Sequence, residues 1–499
     1  MSDQYVLAVD QGTGSTKALI FNSSGEIASK ATVEISSRYP RPGFVEQDPN
    51  EIYQSALDSV RLCIRDFTGK SGEIVACGIS NQRETIVLWD PGGEPLYNAV
   101  VWQCKRSVDI CNRLKDSTAE REINTRTGLI VDPYFSGTKV MWLYENVPEI
   151  KRAIQRGDAY MGTVETWLLF KLTGGASYFT DFTNASRTLF FNINTLKWDD
   201  YLLKYFKLGH LNLPEPRPST WVFGKSDFEG LFDHPLPITS LIGDSHAAAF
   251  GEGAFSAGDA KASLGTGASV LLNTGNKVVH SKNGMVSTIC WSTRERVDYA
   301  LEGMIVSCGA TIKWLRDQLG LFHHNHEIEP MALKAAHNHG VYLVPAFAGL
   351  AGPYWKMEAR GMITGLTFGN DKSHIIRAAL ESVCYQVKDI ISAMEKDSDV
   401  RLRKLMVDGG LTANRFVMQF LADLLQSDVV NIGMEEVSAL GAAYMAGLQM
   451  GFFRDFAQLS QLNVTQVVFS PGHEAKEAAR SYQGWLDTLN GIFGKEGSP

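Results

Sequence analysis

The chain has 499 residues, 44% hydrophobic and 20% charged, a composition that excludes intrinsic disorder as the main state and, at ~150 residues per domain, a single core. Lys plus Arg number 47 against 55 Asp plus Glu; the net charge of -8 argues against broad capture of nucleic acid or acidic membrane, so any phosphate must be held locally. Seven cysteines without a C-x-x-C pair, no apolar stretch of ~18 to 20 residues, and a start (Met1-Ser2-Asp3-Gln4) without signal-peptide character point to a soluble cytoplasmic protein.

Tyr5-Val6-Leu7-Ala8-Val9-Asp10 predicts a strand, Gln11-Gly12-Thr13-Gly14-Ser15 a hairpin turn, and Lys17-Ala18-Leu19-Ile20-Phe21 the returning strand. Asp10 at the strand end offers a carboxylate to Mg²⁺, although turn chemistry is the commoner reason for an Asp there. Asn81-Gln82-Arg83-Glu84 interrupts an apolar stretch running from Ile74 to Ile79 and from Ile86 to Trp89. An Arg beside a Glu supplies the donors and acceptor that vicinal hydroxyls require; the plainer reading is a surface salt bridge. Asp244 follows Ile242-Gly243 and precedes an Ala-rich helix, either as an N-cap or as a general base. Gly251 to Gly258 reads as a connector.

Beyond it, Ala260 to Leu264, the turn Gly265-Thr266-Gly267-Ala268-Ser269 and Val270-Leu271-Leu272 repeat the opening hairpin about 250 residues later. The repetition predicts an α/β fold of two related lobes, residues 1–252 and 253–499. His323-His324-Asn325-His326 and His337-Asn338-His339 are weak zinc candidates that lack a completing carboxylate or thiolate. Leu405-Met406-Val407 predicts a strand ending at Asp408-Gly409-Gly410, with Phe416, Phe420 and Leu424 on one face of the following helix. Ser438 to Ala443 begins a helix of small residues, suited to close packing beside a ligand. No Walker loop is present: Gly69-Lys70-Ser71 and Gly224-Lys225-Ser226 have Ile64 and Ser219 where the earlier glycine belongs. Phosphates would instead sit in the backbone nests of the Gly-Thr-Gly turns.

Two longer patterns, Tyr134-Phe135-Ser136-Gly137-Thr138-Lys139 through Asn146 and Gly361-Met362-Ile363-Thr364-Gly365 through Glu381, match signatures of the FGGY carbohydrate kinases. Asp10 to Ser15, Asn81 to Thr85, Val101-Trp102-Gln103-Cys104, Asn184-Ala185-Ser186-Arg187-Thr188 and Ala346 to Leu350 extend the match. The chain resembles this family over nearly its whole length, most closely the members acting on glycerol. The resemblance implies two actin-like ATPase (ribonuclease H-like) lobes around a central cleft, with the polyol mainly on the first and ATP mainly on the second. It implies ATP-dependent phosphorylation of a terminal hydroxyl, that of glycerol to give glycerol 3-phosphate, by a homodimer or homotetramer.

Carried over by position, Arg83, Glu84, Tyr134 and Asp244 hold hydroxyls, Trp102 packs on the carbon chain, and Asp244 is the base. Asp10 holds Mg²⁺; Gly12, Thr13, Gly14, Ser15, Lys17 and Thr266 surround the phosphates; Gly309, Lys313, Gly410 and Asn414 line the nucleotide pocket. The co-occurrence of Asp10, Arg83, Glu84 and Asp244 argues against a non-catalytic or purely actin-like ATPase relative. Two positions depart from the pattern usual in the glycerol-acting members: Ser245 stands where Gln follows the catalytic Asp, and Ser269 where Phe stands two residues after the second Gly-Thr-Gly. Both remove volume and predict a wider, wetter pocket with room for a C4–C5 polyol or ketose (erythritol, threitol or a pentulose) as the alternative acceptor, the lost apolar contact being worth ~1–3 kcal/mol.

Overall fold

Val6, Leu7, Ala8 and Val9 are all fully buried, as expected of a strand covered on both faces. In the computed structural model, which describes residues 4–115, 117, 119–462 and 466–494, they form β1 (Tyr5–Gln11); the Met1–Asp3 part of the opening segment lies outside the described residues. β1 turns back into β2 (Ser15–Phe21) with Asp10 opposite Lys17. Adding β3 (Ile27–Glu34), β4 (Ile74–Asn81), β5 (Thr220–Ser226) and β6 (Leu236–Gly243) gives a sheet of order β3-β2-β1-β4-β6-β5. β1, β4 and β6 run parallel, and β2, β3 and β5 antiparallel to their neighbours.

The second lobe is built from β7 (Asp259–Leu264), β8 (Ala268–Gly275), β9 (Val286–Ser292), β10 (Val297–Ile305), β11 (Lys404–Asp408), β12 (Asp428–Asn431) and β13 (Val467–Phe469). Its order is β10-β8-β7-β11-β12-β13, with β9 added outside β10. The six shared positions repeat the first sheet's alternation of parallel and antiparallel pairs. The duplicated hairpin of the sequence is thus one corner of a duplicated sheet.

Period-two burial assigns each face of the first sheet a partner. Leu7, Val9, Ala18 and Ile20 pack with Ile52, Ala56, Leu57 and Val60 of α1 (Pro49–Asp66). On the other face Val6, Ala8, Leu19 and Phe21 join a core shared with α2 (Asp244–Gly251). The second lobe contributes α3 (Gly309–Asp317), α4 (Lys372–Ser398), α5 (Arg415–Leu425) and α6 (Val437–Met450). Phe416, Phe420 and Leu424 of α5 are buried, as their spacing predicts.

α6 packs against the first sheet and α2, so one core spans Ala8, Ala247, Ala443 and Met406 of both sheets. Glycine makes the approach possible: a Cβ on Gly441 would lie 1.8 Å from the Ala247 carbonyl oxygen, and one on Gly78 2.3 Å from that of Ala442. The small residues at the start of α6 therefore serve helix and sheet contact. Residues 82–219, inserted between β4 and β5, form a subdomain with its own core around Val100, Ile123, Leu143 and Leu189, and carry Trp102, Tyr134 and Arg187 toward the cleft.

Candidate active site

Three parallel strands of the first lobe end side by side, and each end delivers a charged residue: Asp10 on β1, Arg83 just past β4 and Asp244 just past β6. The capping position of α2 belongs to Gly243, which has no side chain to cap with; Asp244 is the first helical residue, and its side chain remains partly exposed. Its Oδ1 lies 3.2 Å from Arg83 Nε and accepts the Ser245 amide at 2.6 Å. Asp10 accepts the Ser80 hydroxyl at 2.6 Å. Burial pushes its carboxyl up to about 6, with the Asp244 charge adding to the rise while Ser80 and Lys17 oppose it.

Arg83 and Glu84 form no surface salt bridge with each other. Both are buried and each is paired elsewhere. Arg83 grips Glu302 with two prongs, Nη2 to Oε1 at 2.9 Å and Nη1 to Oε2 at 3.3 Å. Glu84, held in the left-handed region at φ 60°, accepts Arg187 Nε at 2.5 Å, and Arg187 Nη1 reaches Glu302 Oε2 at 2.8 Å. Burial opposes the charge on Glu302, but Arg187 and Arg83 outweigh it and hold the carboxyl far below the usual range. Removing one member of such a buried set typically costs about 3–5 kcal/mol, because the others are left uncompensated.

The remaining candidates of the first lobe surround this network. Trp102 and Tyr134 meet edge to face with ring centres 5.7 Å apart, and the Trp102 indole donates to the Thr13 hydroxyl at 2.9 Å, tying the hairpin turn to the insertion. Burial raises the Tyr134 phenol, which therefore stays protonated and able to donate. Lys139 shapes the turn before it by donating to the Tyr134 and Phe135 carbonyls; burial lowers its ammonium to about 7. In the turn itself the Gly12 amide donates to the Ser15 carbonyl at 2.9 Å and Gly14 is exposed. Lys17 pairs with Glu436, just before α6, at 2.6 Å.

In the second lobe the turn at Thr266 rests on the start of α3: Gly309 and Ala310 amides donate to the Gly265 and Thr266 carbonyls at 2.9 and 3.0 Å. A Cβ on Gly309 would lie 2.7 Å from the Gly265 oxygen, so glycine is required for this contact. Lys313 is exposed one turn into α3. Gly410 opens a short 3₁₀ turn, and Asn414 caps α5 by accepting the Val417 amide at 3.0 Å. Of the two departures, Ser269 donates to Glu302 Oε1 at 3.1 Å, whereas the buried Ser245 hydroxyl has no protein partner.

Glu302, Arg187, Lys139, Ser80 and Glu436 join the site without a role assigned to them by the sequence. The signal for Glu302 was a carboxylate between Leu301 and Gly303 in a mostly buried strand that also holds Asp298. Among the described residues no group of three or more His, Cys, Asp or Glu side chains is placed to hold a metal, the histidine tracts included, and no helix is long and apolar enough to cross a membrane.

Two lobes of one topology, meeting at a cleft edged by charged strand ends on one side and Gly-Thr-Gly and Gly-Gly turns on the other, define the actin-like ATPase class. The chain belongs to the FGGY family of carbohydrate kinases: the family's N-terminal domain matches residues 5–251 and its C-terminal domain residues 260–450. It is 46% identical to a glycerol kinase of Brevibacillus brevis and 44% identical to glycerol kinase 2 of Thermotoga maritima, each match covering 99% of both chains. The crystal structure of Plasmodium falciparum glycerol kinase with ADP superimposes with a TM-score of 0.93 at 35% identity, over 99% of both chains. A xylulose kinase of Lactobacillus acidophilus shares the fold, at a TM-score of 0.87 and 21% identity.

Proposed function

We propose that this carbohydrate kinase transfers the γ-phosphoryl group of ATP to a terminal hydroxyl of glycerol, forming glycerol 3-phosphate. The observation that carries the reading is the Arg83–Asp244 pair, 3.2 Å apart at the strand ends. Asp244 accepts the proton of the attacking hydroxyl, and Arg83, Glu84 and Tyr134 orient the polyol against Trp102. Asp10, partnered by Ser80 and close enough to feel the charge of Asp244, suits Mg²⁺, which takes one or two carboxylates and fills its shell with water and phosphate oxygens. The metal, when bound, neutralises charge developing on the phosphates. The turns at Gly12 to Ser15 and Thr266, with Lys17, Gly309, Lys313, Gly410 and Asn414, surround the nucleotide.

We place the lobe boundary at 252/253, in the connector between α2 and β7; the gap between the two family matches supports it. Seven buried, free cysteines support a cytoplasmic setting, and the exposed Trp355, Met357, Leu366 and Phe368 support assembly as a homodimer or homotetramer. The decisive assay is ATP consumption with and without glycerol. Strict dependence is expected, and polyol-independent hydrolysis would point to an ATPase instead.

A second reading, a C4–C5 polyol or ketose acceptor, is favoured by one observation. Ser245 Oγ and His246 Nδ1, adjacent to Asp244, are buried without a protein partner. A longer polyol brings extra hydroxyls to such groups. A kcat/KM panel of glycerol, erythritol, threitol and pentuloses decides between them, a wide margin for glycerol removing the second.

A further inference from the structure

Glu302 lies on β10 of the second lobe, yet its partners Arg83 and Arg187 belong to the first. All three side chains are buried, together with Glu84. Two guanidinium groups held this closely repel, and Glu84 takes Arg187 without a hydrogen bond to Arg83, so Glu302 is the carboxylate that Arg83 and Arg187 share. A carboxylate taking both Nη atoms of Arg83 fixes the plane of the fork, and so fixes where its Nε points, toward Asp244 at 3.2 Å. Ser269 completes the restraint by donating to Oε1 of Glu302 from the neighbouring strand β8.

We propose that Glu302 is a positioning residue of the acceptor site: from the second lobe it orients Arg83 of the first, so that order at the polyol pocket depends on the two lobes being together. The proposal rests on the reading of Arg83 as a polyol-binding group. Lobe separation pulls Glu302 away from both arginines, which disorders the acceptor site and unsettles Arg83 beside the base. Closure restores them in one step.

The test is Glu302→Gln, which keeps size and one carbonyl oxygen but removes the charge. In the full-length enzyme we expect the KM for glycerol to rise about ten-fold or more while the KM for ATP stays within about two-fold. A purely structural role would lower Tm without that split. In an Arg83→Ala background the same change should add less than about two-fold, since its route is already cut. A glycerol KM within two-fold of the parent, an equal rise for ATP, or full additivity with Arg83→Ala overturns the proposal. An Arg83→Ala variant with unchanged glycerol KM removes the reading of Arg83 itself, and the proposal with it. Should Glu302→Gln not fold, Ser269→Ala loosens the same carboxylate by one hydrogen bond. It should raise the glycerol KM about two- to five-fold in the parent and not in Arg83→Ala; no rise in the parent overturns the proposal.

Discussion

The strand ends of the two lobes occupy equivalent places and carry opposite chemistry. With the Gly-Thr-Gly turns superposed in register, Asp10 of β1 corresponds to Ser263 of β7, and Ser80 of β4 to Asp408 of β11. Both lobes keep the hydrogen bond between these strands, but its direction is reversed: Ser80 donates to Asp10 at 2.6 Å, and Ser263 donates to Asp408 at 2.9 Å. In the second lobe the carboxylate is also neutralised by Lys261 at 3.2 Å, whereas the corresponding position in the first lobe is Ala8. Past β4 the chain enters a long insertion bearing Arg83, Trp102, Tyr134 and Arg187. Past β11 it has only the six residues from Gly409 to Asn414, a Gly-Gly turn running into one short 3₁₀ turn, before α5. On the proposed function, one scaffold turns charged and aromatic side chains to the polyol in one half and glycine-rich turns to the nucleotide in the other.

The largest effect expected from breaking this division is at Asp244. Asp244→Asn keeps the shape and removes the proposed base, and kcat should fall by about a thousand-fold or more with Tm nearly unchanged. Activity within a few-fold of the parent would sink the assignment.

A smaller effect separates the glycines that join the lobes from those that face the cleft. Gly441→Ala drives a Cβ into the Ala247 carbonyl at 1.8 Å, and no backbone atom there can yield cheaply; a loss of about 2–4 kcal/mol and a clear drop in Tm are expected. A Cβ on Gly410 meets nothing within 4 Å. Gly410→Ala should therefore leave Tm within about 2 °C while raising the KM for ATP, if backbone approach is what that turn provides. Equal thermal behaviour of the two variants would remove the distinction.

The strands, the paired turns and the face of α5 were legible because each is written in residues close together in sequence, where periodicity and turn chemistry act. The positions of Asp10, Arg83 and Asp244 were legible for the same reason: a polar residue ending an apolar run marks a strand end. Glu302 and Arg187 were not. Each is a charge inside a buried stretch, and its partner lies 103 to 219 residues away on an element packed only by the tertiary fold. The return of α6 to the first lobe was equally hidden. Its small residues predict closeness to something, and only the crossing of α6 over α2 identifies that something as Ala247 and Gly78.

The smallest expected effect compares one buried acid in each half. Glu165, in the first lobe, takes the Thr163, Thr166 and Thr180 hydroxyls on Oε1 at 2.7, 2.9 and 2.7 Å, while Oε2 has no partner. Asp389, in the second, takes Tyr482 on one oxygen at 2.6 Å and Trp485 on the other at 2.9 Å. Burial pushes Glu165 up to about 7 and Asp389 to about 6. Because each folded value lies above the unfolded one, the folded protein binds the extra proton between the two, and stability from these groups falls as pH rises through that window. Glu165→Gln and Asp389→Asn remove the titration, so the Tm of each variant relative to the parent should climb between pH 5 and pH 8, by roughly 1–3 °C. The climb should end about one pH unit lower for Asp389→Asn and be larger for Glu165→Gln, whose second oxygen has no donor to offset the buried charge. A Tm difference that is flat with pH, or that shrinks as pH rises, would show that both acids stay ionised across this range.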